Sequence, residues 1–358
     1  MNCPALIPVK LNWGNAILLL FARRDPDTIM KDVTLSVGVP AYNQGKYLEE
    51  TIRSILAQKV APFEIVVSNN HSTDDTEQVL NKYRELIRVI KPDRHLPVHE
   101  HLNFIASNLK GTWFSMLSSD DMFLPNFTEV ALDCIEKSPE GTVLFRGNVQ
   151  TVSEEGVPTG FVKLRFMRSI ADPRLAFAEQ LLTPCVSFAC FAVKKASFEE
   201  AGGFPVNISH MSDWGLWLKL SKQGCFVFEP QVLSKYRKQY REYPWEITAR
   251  MLDDEVYLRN VLMPEINKEL LVSDSLLLLA NKCGFYFRLL ALERQVDVRN
   301  EERVRTVREK LLPWAARIKK EQLLSRFGRN NRFLLYCLFT FYRIIIIFRI
   351  LCRPIINI

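Results

Sequence analysis

The amino-acid sequence predicts an α/β fold, a doubly wound and mostly parallel sheet with a helical appendage at its C-terminal side. Three observations carry that expectation. Strand-like alternation and helix-like periodicity succeed one another from residue 33 to about 137, polar clusters stand where the strands end, and only helical patterns remain after Trp245.

Apolar and small polar residues alternate from Val33 to Val39, a strand that ends at Pro40. Tyr47, Leu48, Ile52, Ile55 and Leu56 then recur at helical spacing, and Phe63 to Val67 form an apolar run of strand length, completing a β-α-β unit. Ser72 and Thr73 precede Asp74, Asp75 and Glu77, acids suited to a helix N-terminus, and Val79, Leu80, Tyr83, Leu86 and Ile87 continue the stripe. Leu102 to Leu109 read as a helix stopped by Gly111, Thr112 to Leu117 as a strand, and Asn126 to Lys137 as a further helix. Beyond these the expected elements are a strand over Cys185 to Val193, a Gly202-Gly203-Phe204-Pro205 turn, a helix over Ser212 to Lys222, and strands near Phe226 and Leu233.

With 358 residues, 48% of them hydrophobic, the chain can fill a core larger than one typical domain. Its formal charge of +7 is local rather than general: six basic residues and one acid lie between Arg317 and Arg332. Beside apolar sequence, such a run points to anionic lipid and away from nucleic acid. Eight scattered cysteines without a Cys-x-x-Cys pair read as a reduced, cytoplasmic chain. The short apolar run from Ala16 to Ala22 lacks a cleavage site, so no signal peptide is expected. The expected organisation is an N-terminal extension over residues 1–30, the α/β domain over 31–242, a helical region over 243–332 and an amphipathic membrane-associating helix over 333–358. Phe333 to Cys352 would measure roughly 30 Å as a helix. Arg332, Arg343, Arg349 and Arg353 share about a third of its circumference, which favours lying in the membrane interface over spanning it. A tilted span and a helix packed on the protein itself are the alternatives.

In open α/β sheets ligands bind beyond the carboxyl ends of the strands. Three polar clusters belong there: Pro40-Ala41-Tyr42-Asn43, Ser68-Asn69-Asn70-His71 and Ser118-Ser119-Asp120-Asp121. Tyr42 offers a ring on which a nucleobase can stack, and Asn70 offers both a donor and an acceptor for a base edge. The adjacent carboxylates of Asp120 and Asp121 suit Mg²⁺ or Mn²⁺, hard cations that complete their shell with phosphate and water. Each residue also has a structural reading: Tyr42 as a core aromatic, Asp120 and Asp121 as caps of the turn before Pro125, Asp213 as an acid at the start of the helix that buries Trp214, Trp217 and Leu218. The five histidines form no ligand set.

The succession Pro-x-Tyr-Asn, helix, strand ending in an Asn pair, Ser-Thr-Asp, Ser-x-Asp-Asp and Ser-Asp-Trp-x-Leu-Trp-Leu resembles the family 2 glycosyltransferases of the GT-A fold, over residues 33 to about 240. The resemblance implies an inverting transfer of sugar from a nucleotide diphosphate donor to a hydroxyl of a saccharide or lipid-linked acceptor in cell-envelope polysaccharide synthesis. The enzyme would work on the inner face of the cell membrane with Mn²⁺ or Mg²⁺ as cofactor. Pro40, Tyr42, Asn70 and Asp120 would bind the donor nucleotide, Asp121 the metal, and Asp213 would be the general base. The sequence departs from the family pattern at Asn69 and Asn70, where two aspartates are frequent, at Ser118 in place of an acid, and at Gln239 in place of a histidine. These departures leave open a degenerate nucleotide-sugar binder of the same fold. A dinucleotide-dependent oxidoreductase is disfavoured, because Pro-Ala-Tyr-Asn stands where a glycine-rich phosphate loop is needed.

Overall fold

The computed structural model describes residues 33–162, 169–239, 245–272, 274–295 and 300–321. The N-terminal extension and the basic apolar tail after 321 lie outside the described residues. Among those described, no helix is long and apolar enough to cross a membrane.

The first half alternates as expected: β1 (Leu35–Ala41), α1 (Gly45–Leu56), β2 (Glu64–Asn69), α2 (Thr76–Tyr83), β3 (Arg88–Ile90), α3 (Val98–Asn108), β4 (Trp113–Met116), β5 (Met122–Phe123) and α4 (Phe127–Lys137). After these come β6 (Thr142–Val152), β7 (Pro158–Phe161), α5 (Pro173–Gln180), β8 (Phe191–Lys194), α6 (Lys195–Glu200), α7 (Ser212–Leu220) and β9 (Cys225–Arg237). The helical layer consists of α8 (Trp245–Tyr257), a π-helical stretch Leu258–Leu262, α9 (Met263–Leu270), α10 (Asp274–Gln295) and α11 (Glu301–Arg317).

One sheet runs in the order β3-β2-β1-β4-β8-β6-β9-β5, with β7 paired to β6. It is parallel across β3, β2, β1 and β4 and mixed beyond them, since β8 is antiparallel to both β4 and β6 whereas β9 is parallel to β6. β1 continues through Pro40, where the sequence pattern ends it. Gly38 accepts the Leu117 N–H on the β4 side, so Pro40, two residues on, faces the same side. The pairing with β4 ends at Gly38 opposite Met116, and the missing proline N–H therefore leaves no gap in the ladder. The helix expected through Ile87 stops at Tyr83, and residues 88–90 form the short edge strand β3 instead.

Helices cover both faces. α1, α2 and α4 seat Leu48, Ile52, Ile55, Leu80, Phe127 and Ala131 against one face, while α3, α6 and α7 seat Leu102, Ile105, Phe198 and Trp217 against the other. A third core joins Trp214 and Leu218 of α7 to Leu258, Leu262, Met263, Ile266 and Leu277, so α7 lies between the sheet and the helical layer.

Gly38 sets the spacing of α3 from the sheet. A Cβ there would sit 2.6 Å from Cγ2 of Ile105, a branched side chain that is itself fully buried. Gly38→Ala is expected to cost about 1–3 kcal/mol, the usual range for overpacking. The measurement is a lower denaturant midpoint at unchanged slope.

Candidate active site

The carboxyl ends of β1 and β2 are locked together by their own polar residues. Asn43 takes a left-handed backbone, φ 52°. Its N–H donates to Ser72 Oγ at 3.1 Å, and its Oδ1 accepts the Thr73 N–H at 2.8 Å. Asp74 accepts the Gly45 N–H at 2.9 Å and the Thr76 hydroxyl at 2.5 Å. Gly45 is required there because a Cβ would meet the Thr76 nitrogen at 2.9 Å. Asn69 is buried and used twice, donating to Glu77 and accepting from the Ser72 N–H. The sequence pattern Pro-x-Tyr-Asn and Ser-Thr-Asp is thus one interlocked turn, which presents Pro40 and Tyr42 at its rim.

Tyr42 is 47% exposed, which removes the core-aromatic alternative. Its ring meets His95 edge-on at 4.6 Å. Asn70 is only 3% exposed, and the Leu96 backbone engages both ends of its amide: Nδ2 donates to the carbonyl at 2.8 Å and Oδ1 accepts the N–H at 2.9 Å. One N–H and one lone pair of that amide remain for a ligand. Its first task is structural, tying the segment before α3 beneath the Tyr42–His95 pair. His101 is buried against Ser68 Oγ at 2.8 Å, and burial pushes it down to about 4, so the ring is neutral and structural.

Asp120 and Asp121 follow β4 on a tight turn closed by the Asp121 N–H to Ser118 carbonyl bond of 3.0 Å. Asp121 is 1% exposed, its Oδ1 accepts the Arg237 N–H at 2.9 Å, and its carbonyl accepts the Thr51 hydroxyl at 2.8 Å. Burial, then the neighbouring Asp120 charge, raise its carboxyl well above the usual range, and the Arg237 N–H and guanidinium offset this only in part. Asp120 Oδ2 accepts the Gln239 amide at 2.7 Å, and the same amide lies 3.5 Å from Gln44 at the start of α1. Gln239 therefore links the acidic turn to the Tyr42–Asn43 turn.

Arg237, missed as a site residue from sequence, organises this corner. Its Nε donates to the Asp120 carbonyl at 3.0 Å, Nη2 pairs with Glu50 at 2.5 Å, Nη1 reaches the Glu154 carbonyl, and the guanidinium lies 4.9 Å from the Tyr47 ring centre. The sequence holds one signal for it, a basic residue closing a strand before Gln239; its partners lie more than 80 residues away.

The acidic corner fits a hard divalent cation. A buried carboxylate beside a second acid is unfavourable as an anion without added positive charge. Among the described residues no three His, Cys, Asp or Glu side chains are grouped for metal binding, so most ligands would come from a diphosphate and water.

Asp213 lies in the first turn of α7. Trp217 of α7 packs against Phe191 at 4.9 Å. Phe191 lies two residues before Val193, the partner of Phe114 in the antiparallel β4–β8 pair, so Trp217 sits toward the carboxyl end of β4. Asp213 is partly buried, its Oδ1 accepts the Trp214 N–H at 2.7 Å, and burial raises its carboxyl to about 6. Trp214 and Trp217 are core residues, as their helical spacing suggested.

A parallel half-sheet with interlocked turns at its carboxyl end, an acidic turn after the fourth strand and a mixed second half is the GT-A arrangement. The solved structures of S. aureus TarS 1–349 share it. The complex with UDP-GlcNAc matches with a TM-score of 0.61 at 16% identity, covering 87% of this chain and 92% of that one. The complex with UDP matches with a TM-score of 0.53 at 17% identity, covering 84% and 91%. Residues 36–202 match the model of Glycosyl transferase family 2. An uncharacterized glycosyltransferase of Rickettsia conorii is 27% identical over 217 residues, 60% of this chain and 36% of its own length. One from Rickettsia typhi is 28% identical over 205 residues, 57% and 63% of the two chains. Chondroitin synthase of Escherichia coli is 25% identical over 204 residues, 56% and 28%. The chain thus spans between about a third and under two thirds of the length of the first two of these relatives. Asp213, Arg237 and Gln239 all lie outside the matched segment.

The raised Asp213 carboxyl has a consequence for stability. The native state holds this proton more tightly than the unfolded chain, so the contribution is full below about 4 and is lost as pH rises through about 6. At pH 8 the wild type carries that cost, up to about 3 kcal/mol. Asp213→Asn is expected to be more stable than wild type in urea at pH 8, with the gap shrinking as pH falls through about 6 and closing near 4.

Proposed function

We propose that this chain is an inverting glycosyltransferase that moves a sugar from a nucleotide diphosphate sugar to a hydroxyl of a saccharide or lipid-linked acceptor in cell-envelope polysaccharide synthesis. The observation that carries the reading is the pair of raised carboxyls on different elements: Asp121, buried beside Asp120 at the end of β4, and Asp213 at about 6 on α7. One suits a cation site and the other a proton acceptor.

Pro40 and the exposed face of Tyr42 receive the nucleobase, with Asn70 offering the amide capacity that Leu96 leaves over. Asp120 lies toward the ribose, oriented by Gln239. Asp121, with Asp120 beside it, would hold Mn²⁺ or Mg²⁺, which when bound neutralises charge on the departing diphosphate. Asp213 takes the proton of the acceptor hydroxyl as the oxygen attacks the anomeric carbon from the side opposite the leaving group; that in-line geometry inverts the centre. A carboxylate near 6 is mostly ionised at neutral pH and basic enough to accept the proton. The basic and apolar tail would hold the protein peripherally on the inner face of the cell membrane, near lipid-linked acceptors.

Metal dependence is tested by calorimetry of nucleotide diphosphate binding. Wild type should bind more tightly with Mn²⁺ or Mg²⁺ than in chelator, and Asp121→Ala should bind equally in both; a wild type indifferent to metal removes the cation from the reading.

The base is tested by kinetics. Asp213→Asn should lower sugar transfer by about 10² to 10⁴ while donor affinity stays near that of wild type. Full transfer by the variant excludes Asp213 as base, and a wild type that binds donor without transferring to any acceptor favours a degenerate binder.

A further inference from the structure

The segment that delivers Asp213 to the site is held from outside the nucleotide-binding half. Residues 209–211 lead into α7, and their backbone N–H groups converge on one carboxylate of α8. Ser209 N–H donates to Asp254 Oδ1 at 3.0 Å, and the His210 and Met211 N–H groups donate to Oδ2 at 2.6 and 3.2 Å. The Ser209 hydroxyl lies 3.3 Å from both oxygens. Asp254 is buried, so this charge has been taken out of water to serve three consecutive amides. Such an arrangement fixes the entry of a helix more firmly than a solvent-exposed cap can, because hydrogen bonds to an ionised acceptor are about twice as strong as neutral ones. Met211, the last of the three donors, immediately precedes α7 and stands two residues before Asp213.

The same α8 turn is itself anchored. Arg259 donates to Glu255 at 2.9 Å and to the carbonyls of Leu181 and Leu182 at 2.7 and 3.0 Å. Its guanidinium lies 5.3 Å from the ring centre of Trp214, the residue after Asp213, and 4.8 Å from that of Trp314 on α11. Room for it comes from Gly284, whose Cβ would stand 2.4 Å from the guanidinium carbon. The segment entering α7 is thus gripped on its backbone by Asp254, and the first turn of α7 on its tryptophan by Arg259.

We propose that Asp254 is a positioning residue for the transfer step: its carboxylate on α8 fixes residues 209–211 and through them the placement of Asp213. The helical layer is in this sense part of the catalytic apparatus. The inference rests on Asp213 being the base, and its test is arranged so that the two can fail separately.

The experiment measures kcat for sugar transfer and calorimetric donor affinity for wild type, Asp254→Asn and Asp254→Glu in the full chain. Asparagine keeps the shape but loses one acceptor oxygen and the charge. It should lower kcat at least tenfold with donor affinity within twofold of wild type, and glutamate, which keeps the carboxylate, should recover part of the loss. Asp254→Asn with unchanged kcat overturns the proposal, as does a loss of donor affinity equal to the loss of kcat, which would mark a general structural role. If Asp254→Asn does not fold, Ser209→Ala, which leaves the carboxylate in place, should still lower kcat several-fold at constant donor affinity; unchanged kcat there overturns the proposal. Should Asp213→Asn itself transfer at the wild-type rate, the base assignment fails first.

Discussion

Arg237 holds together elements that the chain brings from far apart. Its backbone N–H binds the Asp121 carboxylate while its guanidinium reaches the Asp120 carbonyl, Glu50 on α1 and the Glu154 carbonyl after β6. It can do so because β9 runs parallel to β6 over its whole length and pairs antiparallel with β5, the strand just after the acidic turn. The Arg237 side chain is buried, so its guanidinium relies on these partners for the hydrogen bonds it gives up with water. The position of the acidic turn is therefore set as much by the last strand of the sheet as by the strand that precedes it.

The raised carboxyls of Asp121 and Asp213 are raised for different reasons, and the roles proposed for them follow that difference. Burial acts on both, but Asp121 also faces the charge of Asp120, which a cation would relieve. Asp213 is raised by burial against backbone hydrogen bonds, with no neighbouring charge contributing. A group of that kind responds to the arrival of a substrate that displaces water, and its basicity depends on how deeply α7 is seated.

Much of the first half was legible in the sequence, because a parallel β-α-β unit writes itself in alternating period and its polar residues fall at strand ends by topology. The places that escaped are those where tertiary context overrides the pattern. β6 is buried along most of its length and so lacks alternation, and Arg146 within it looks like a surface residue although it is fully buried and donates to the Cys185 carbonyl at 2.7 Å. The strand expected from Cys185 shrinks to Phe191–Lys194, since burial of Cys185, Val186 and Ala189 comes from packing outside any ladder. At the candidate site, the sequence sets Tyr42, Asp120 and Asp121 at strand ends and the family resemblance proposes Asp213, but nothing in the pattern shows that Leu96 engages both ends of the Asn70 amide. Hydrogen bonds between residues distant in sequence leave no periodic trace, which is why Arg237 and Asp254 could not be read in advance.

The division of the site between two halves of the chain has a mechanistic logic. The turns at the ends of β1 and β2 bind one another through local polar contacts, so the proposed donor side forms largely within the segment that matches the family. Asp213, by contrast, rides on α7, whose far side shares a core with α8, α9 and α10. The likeness to TarS extends over 87% of this chain, well past the matched segment, so the helical layer belongs to the shared fold. Under the proposed assignment, changes in that layer would move Asp213 while the turns after β1, β2 and β4 stay intact, because the two are stabilised by different sets of contacts.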